Sequence, residues 1–150
     1  MKIIFTILSV SILFSCSNKN TNEQTSNGFD ILFNAIDNES NELNIGIKSY
    51  YSLTNRSLSK LERDYSKNYK DSLLIPIVHR ITRANLKQYS PGEIYNYKRP
   101  EIEQNIIDKT KIAFDSVDVE LTKLFITTVK IPDDLMKRLE KEHVELMKKN

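Results

Sequence analysis

Apolar side chains first fall into a regular pattern at Phe29. Phe29, Ile31, Phe33 and Ala35 recur every second residue, and Leu43, Ile45, Ile47, Tyr51 and Leu53 keep the same period after a polar interval. A period of two places each set on one face of a β-strand. The interval Asp37-Asn38-Glu39-Ser40-Asn41-Glu42 suits a hairpin loop, although it lacks the glycine such loops usually carry. Helical spacing follows. Leu58, Leu61 and Tyr65 form a stripe within residues 54–70, and Leu74, Val78, Ile81, Asn85 and Leu86 form a longer one. Pro76 must start or bend that second helix, because it removes a backbone donor.

Ser90-Pro91-Gly92-Glu93 opens a short helix carrying Ile94, Tyr95 and Tyr97. Arg99-Pro100-Glu101 opens another, with proline at its first position and Glu101 and Glu103 early, as the helix dipole favours. Ile102, Ile106, Thr110 and Ala113 make its inner stripe, with Phe114 at the edge. Residues 117–131 alternate again. The odd positions from Val117 to Ile131 are mainly apolar and are expected to face a core, while Leu124 and Ile126 interrupt the polar face. Ile131-Pro132-Asp133-Asp134 ends this strand and starts a final helix, 132–150. There Met136, Leu139, His143 and Leu146 are spaced 3-4-3, the beginning of a heptad seam too short to define a coiled coil alone. The order β-β-α-α-α-β-α predicts an α+β fold, a hairpin plus a later strand packed with helices.

The N-terminal segment has a different character. Residues 1–15 hold one Lys and then a mostly apolar run ending in Ser15, the form of a secretory signal. That run is shorter than the roughly 20 residues needed to cross a bilayer. Leu13-Phe14-Ser15-Cys16 resembles a bacterial lipobox, which implies acylation at Cys16. The other reading of Cys16 is a buried structural cysteine. Two or more acyl chains hold a protein stably on a membrane. Residues 16–28 then read as the lipidated Cys and a polar tether, SNKNTNEQTSNG, with the folded domain at 29–150.

Composition narrows the function. The 150-residue chain carries a formal net charge of +2 with its cations spread among carboxylates, so nucleic acid is not an expected partner. A single Cys excludes an internal disulfide. His79 and His143 are isolated, and no His pair or second Cys suggests zinc. Glu101 with Glu103, and Asp133 with Asp134, suit helix starts better than acid–base pairs. No cofactor and no catalytic residue is expected. The seven tyrosines could instead form a ligand-binding rim, though amphipathic rings more often pack at half-buried positions.

Four segments resemble the SPFH, or Band 7 and prohibitin-homology, superfamily across residues 45–150. They are IGIKSYYSLTNRSLSKLERDY, SLLIPIVHRITRANLKQYSPGEIYNYKRPEIEQNI, VDVELTKLFITTVKIPDD and LMKRLEKEHVELMKKN. Their order and spacing carry the resemblance, since each alone is a core or capping pattern. Family members usually have further N-terminal strands and a long coiled coil, so this chain reads as a partial SPFH-like domain or a truncated remnant. The resemblance implies a membrane scaffold that self-associates or joins a longer SPFH paralogue to organise membrane proteins or restrain a membrane protease. Lipidation at Cys16 and assembly through Met136, Leu139, His143 and Leu146 are the candidate sites. The alternative is a ligand-binding lipoprotein of the cell envelope.

Overall fold

A computed structural model describes residues 25–148, with the backbone alone for Thr25, Asn96, Tyr97, His143 and Leu146. The hairpin forms as expected from β1 (Thr25–Ile36) and β2 (Glu42–Leu53). β1 starts earlier than Phe29: Ser26, Asn27 and Gly28, which read as tether, pair with Ser52, Tyr51 and Tyr50. The loop does without glycine by another chemistry. The Asp37 side chain is buried and accepts the Glu39 and Asn41 backbone N–H groups, each at 2.9 Å. Ser40 takes the left-handed conformation at φ 68°.

α1 (Asn55–Tyr65) is capped by Thr54, whose hydroxyl accepts the Ser57 N–H at 3.1 Å. Leu61 is buried, whereas Tyr65 points away from the core and is exposed. A single π-helical turn, Lys70–Leu74, leads into α2 (Ile75–Leu86). The Ile75 N–H bonds back five residues to Lys70, so Pro76 falls in the first turn of α2, where the change of hydrogen-bond period tolerates its missing donor. Thr82 joins the buried stripe while Ile81 is only half-buried. Buried Asn85 accepts the Lys109 Nζ at 2.9 Å and donates to the Ile81 carbonyl at 2.8 Å, which ties α2 to the next helix.

Ser90 and Glu93 form a reciprocal capping box: the Glu93 carboxylate accepts the Ser90 N–H at 2.9 Å and the Ser90 hydroxyl accepts the Glu93 N–H at 3.3 Å. After the turn Glu93–Tyr97 comes α3 (Arg99–Asp115). Phe114, expected at the edge of its stripe, is fully buried and meets Tyr51 edge-on at 6.3 Å, whereas Ala113 is half-buried.

β3 (Glu120–Lys130) completes an antiparallel sheet of order β1-β2-β3. Here the expected alternation is overturned. Two register shifts, between Gly46 and Ile47 and between Tyr50 and Tyr51, leave Thr127 and Thr122 unpaired. Each bulge inserts one residue and reverses which parity faces inward. The inward set is therefore Leu121, Leu124, Ile126 and half-buried Val129, while Lys123, Phe125 and Thr127 face out. Gly46 makes the first bulge possible, since a Cβ there would lie 2.7 Å from the Thr127 Oγ1 and 3.0 Å from the Thr128 Cβ. The bulge also turns the Ile126 backbone toward α3, where Arg99 donates to its carbonyl at 2.9 Å and Glu103 accepts its N–H at 3.0 Å. These two side chains, one helical turn apart, satisfy an edge-strand backbone that would otherwise be open to pairing.

Helices cover one face of the sheet, over Leu43, Ile45, Ile47, Tyr51 and Leu53 of the central strand. The other face carries Asp30, Leu32, Asn34, Lys48 and Phe125, with Leu32 63% and Phe125 45% exposed. α4 (Asp133–Lys148) follows Ile131 and Pro132, and the Pro132 carbonyl accepts its first helical bond from Met136 at 2.9 Å.

Candidate functional site

The final helix has two halves with different environments. Leu135 is buried, and Met136 and Leu139 are half-buried against the domain core. Leu139 reaches the short turn before α3, with its Cδ2 3.6 Å from where a Cβ of Gly92 would stand. Arg138 pairs with Glu39 at 3.1 Å, so α4 also holds the hairpin tip. That tip is fixed from a second side, since the Asn38 N–H donates to the Tyr89 carbonyl at 3.1 Å. Two of the four seam residues therefore touch their own domain. His143 and Leu146 lie farther along α4.

Farther along the helix, Val144 is 51% and Met147 is 69% exposed. At about 100° per residue, Val144 lies opposite Leu135 and Met147 about 120° round from it. α4 thus has a docked apolar side and a free one. The heptad reading missed Leu135, Val144 and Met147. Leu135 with Leu139 at i, i+4 is the signal for the docked side, and Val144 with Met147 at i, i+3 is the signal for the other.

Cys16 lies outside the described residues. Among those described, no helix is long and apolar enough to cross a membrane, and no group of three His, Cys, Asp or Glu could hold a metal ion. Glu103 holds the β3 edge, and the Tyr89 hydroxyl donates to Glu101 at 3.4 Å. Asp133 and Asp134 lie in the first turn of α4. Tyr51 and half-buried Tyr69 are hydrogen-bonded to each other within the core, while the exposed tyrosines lie apart. Tyr51 is buried beneath the sheet, Tyr50 lies on its opposite face, and Tyr65 and Tyr95 are exposed on other elements.

His79 packs against Phe33, ring to ring at 4.1 Å, with its Nε2 buried and unpartnered. Burial first, and the neighbouring Arg83 second, hold its pKa below the ordinary 6.5. The unfolded chain then binds a proton that the folded chain resists. Stability from this group is complete above the unfolded pKa and falls as pH drops through about 6.5 toward the lower folded value. Thermal melts should therefore show a lower Tm near pH 5.5 than near pH 7.5, both values being approximate brackets of the histidine range. His79→Leu should remove that part of the difference. An unchanged pH dependence in the variant would show that His79 titrates as freely folded as unfolded.

The folded elements run in the order expected for the resemblance, from the hairpin through the Pro76 helix and the Ser90 capping box to the strand and Pro132 helix start. The SPFH domain / Band 7 family profile matches residues 3–150. None of the curated proteins compared with the chain matches it. With nearly the whole chain matched, this protein belongs to the SPFH domain / Band 7 family, a family of membrane-associated scaffolds.

Proposed function

We propose that this chain is a non-enzymatic scaffold, tethered to the membrane through lipid on Cys16 and assembled through the free side of α4. The observation that carries the reading is the exposed pair Val144 and Met147 on a helix already docked through Leu135 and Leu139. An apolar side left over after docking suits a second helix, from another copy or from a longer SPFH paralogue. In such an assembly the domain marks out membrane proteins, a membrane protease among them, without chemistry of its own. The scattered exposed tyrosines favour this over a ligand-binding lipoprotein, which needs convergent groups.

Detergent-solubilised full chain is expected to sediment as an oligomer, or to form one with a longer SPFH paralogue. Val144→Asp with Met147→Asp should shift it to monomer and leave the Tm that the native chain shows when diluted to monomer, because both side chains are exposed in the single chain. Leu139→Asp, by contrast, should lower the Tm, since Leu139 packs on its own domain. Cys16→Ser should abolish palmitate labelling. A native chain that stays monomeric at every concentration, alone and with the paralogue, removes the assembly reading, and label persisting on the Ser variant removes the anchor.

A further inference from the structure

The sequence spreads its cations among carboxylates, but the fold gathers some of them. Arg56, Lys60 and Arg63 stand at i, i+4 and i+7 on α1 and line a hollow of about 740 Å³ together with Thr54, Ser57 and Asp118. We propose that this hollow receives the phosphate of anionic phospholipid headgroups and holds the tether end of the domain against the bilayer. The proposal rests on the anchor reading above and adds the surface that meets the membrane.

Charge and place both point there. Three cations, Arg56, Lys60 and Arg63, stand against Asp118 in the hollow and Asp64 beside it, which leaves one positive charge. Asp118 pairs with Lys60 at 2.6 Å, and Asp64, outside the hollow, takes the Arg63 Nε–H at 2.9 Å. A guanidinium has five N–H donors, so Arg63 keeps others for a phosphate, and Arg56 adds its own fork. The Thr54 and Ser57 hydroxyls, 2.8 Å apart, add neutral polar groups at the helix start.

The hollow also lies where the chain enters the fold. Thr25 pairs with Leu53, the residue before Thr54. Residues 17–24 separate Cys16 from Thr25, a distance of at most roughly 30 Å when extended. An acylated Cys16 therefore keeps α1 within reach of headgroups at high effective concentration. The side chains of Lys60 and Arg63 are 47% and 73% exposed. Such open cations hold a single free anion weakly, whereas each contributes near a charged leaflet. A second cationic hollow supplies the control. Arg80, Arg83 and Lys87 line it on α2, where Arg83 donates to the Asn34 carbonyl. Asn34 is nine residues along β1 from Thr25, about 30 Å at the rise of a strand.

The test uses the full chain carrying Cys16→Ser, so that binding stays reversible. Its readout is partition into vesicles of equimolar phosphatidylcholine and phosphatidylglycerol, divided by partition into pure phosphatidylcholine vesicles. This ratio cancels whatever the apolar N-terminal run contributes to both. One net charge gives an expected ratio of about five. Arg56→Gln with Arg63→Gln should bring it near one, and Arg80→Gln with Lys87→Gln should leave it unchanged. Arg56→Lys with Arg63→Lys should retain most of it, and all these variants should share one melting curve. A ratio that survives the α1 change, or falls equally with the α2 change, overturns the site. Loss of the ratio in millimolar inorganic phosphate at constant ionic strength would identify a small-anion pocket and overturn the lipid assignment. The anchor is read separately, by flotation of the native Cys16 chain with pure phosphatidylcholine vesicles. Its failure there would leave the ratio of the Ser variant interpretable.

Discussion

Ile47→Asp is expected to leave the protein without a cooperative thermal transition. Ile47 is fully buried at the middle of the central strand, paired with Ile31 on one side and Ile126 on the other. A carboxylate placed there enters the apolar core. It must stay charged at several kcal/mol or take up a proton at a comparable cost. A loss of about 5 kcal/mol is as large as the whole stability of many domains, roughly 5–15 kcal/mol. Lys48→Asp, one residue on, turns to the opposite face and should cost about 0.5 kcal/mol or little more. Its one described aromatic partner is the Tyr50 ring, 5.8 Å from the ammonium. Circular-dichroism melts of the two variants decide the matter. A cooperative Ile47→Asp melt close to the native one would mean that the covered face of the sheet has been misassigned.

The second large effect falls in β3 and turns on the bulges. Leu124 is 2% exposed and packs beneath the sheet, whereas Phe125 is 45% exposed on the open face. Strict alternation from Val119 and Leu121 puts Phe125 inside and Leu124 outside. The structure requires the reverse, so Leu124→Asp should cost about 4 kcal/mol or more and Phe125→Asp less than about 1 kcal/mol. Denaturant melts of both variants give the order directly. Equal losses, or the larger loss at Phe125, would show an unbulged strand. Gly46→Val should lie between them, because its side chain meets Thr127 and Thr128 where the two strands come closest.

These two variants differ in how far the sequence alone foresees them. The inward set of β2 is read correctly from its period, because that strand keeps one parity along its whole length. Along β3 and the residue before it, the inward apolar residues Val119, Leu121, Leu124, Ile126 and Val129 are spaced 2-3-2-3, with Phe125 facing out. That spacing has a meaning only once a partner strand shows where the extra threonines leave the ladder. Helix stripes were nearer to legible. Ile102, Ile106 and Thr110 are buried as their spacing requires, but whether Ala113 or Phe114 closes the stripe depends on Tyr51, sixty-odd positions away, which offers a ring edge to Phe114.

The candidate site divides in the same way. A heptad count selects Met136 and Leu139 as seam residues, yet a count along one helix cannot say which side the rest of the domain already occupies. Only the docked position of Leu135 leaves Val144 and Met147 as the free side. The cationic hollow is invisible to composition because its charges are interleaved with Glu62 and Asp64 in sequence, and helical geometry alone puts Arg56, Lys60 and Arg63 on one flank.

By itself, then, the sequence determined what local forces decide: the hairpin, the Ser90 capping box, the proline-marked helix starts, the α+β order and the family. The first three rest on neighbours within one or two turns, where periodicity and capping act, and the order and the family rest on the succession of those local signals along the chain. Tertiary structure decided the parity of β3, the latch of Arg99 and Glu103 on its edge, and the free side of α4. Those depend on partners far along the chain, whose approach no local pattern encodes.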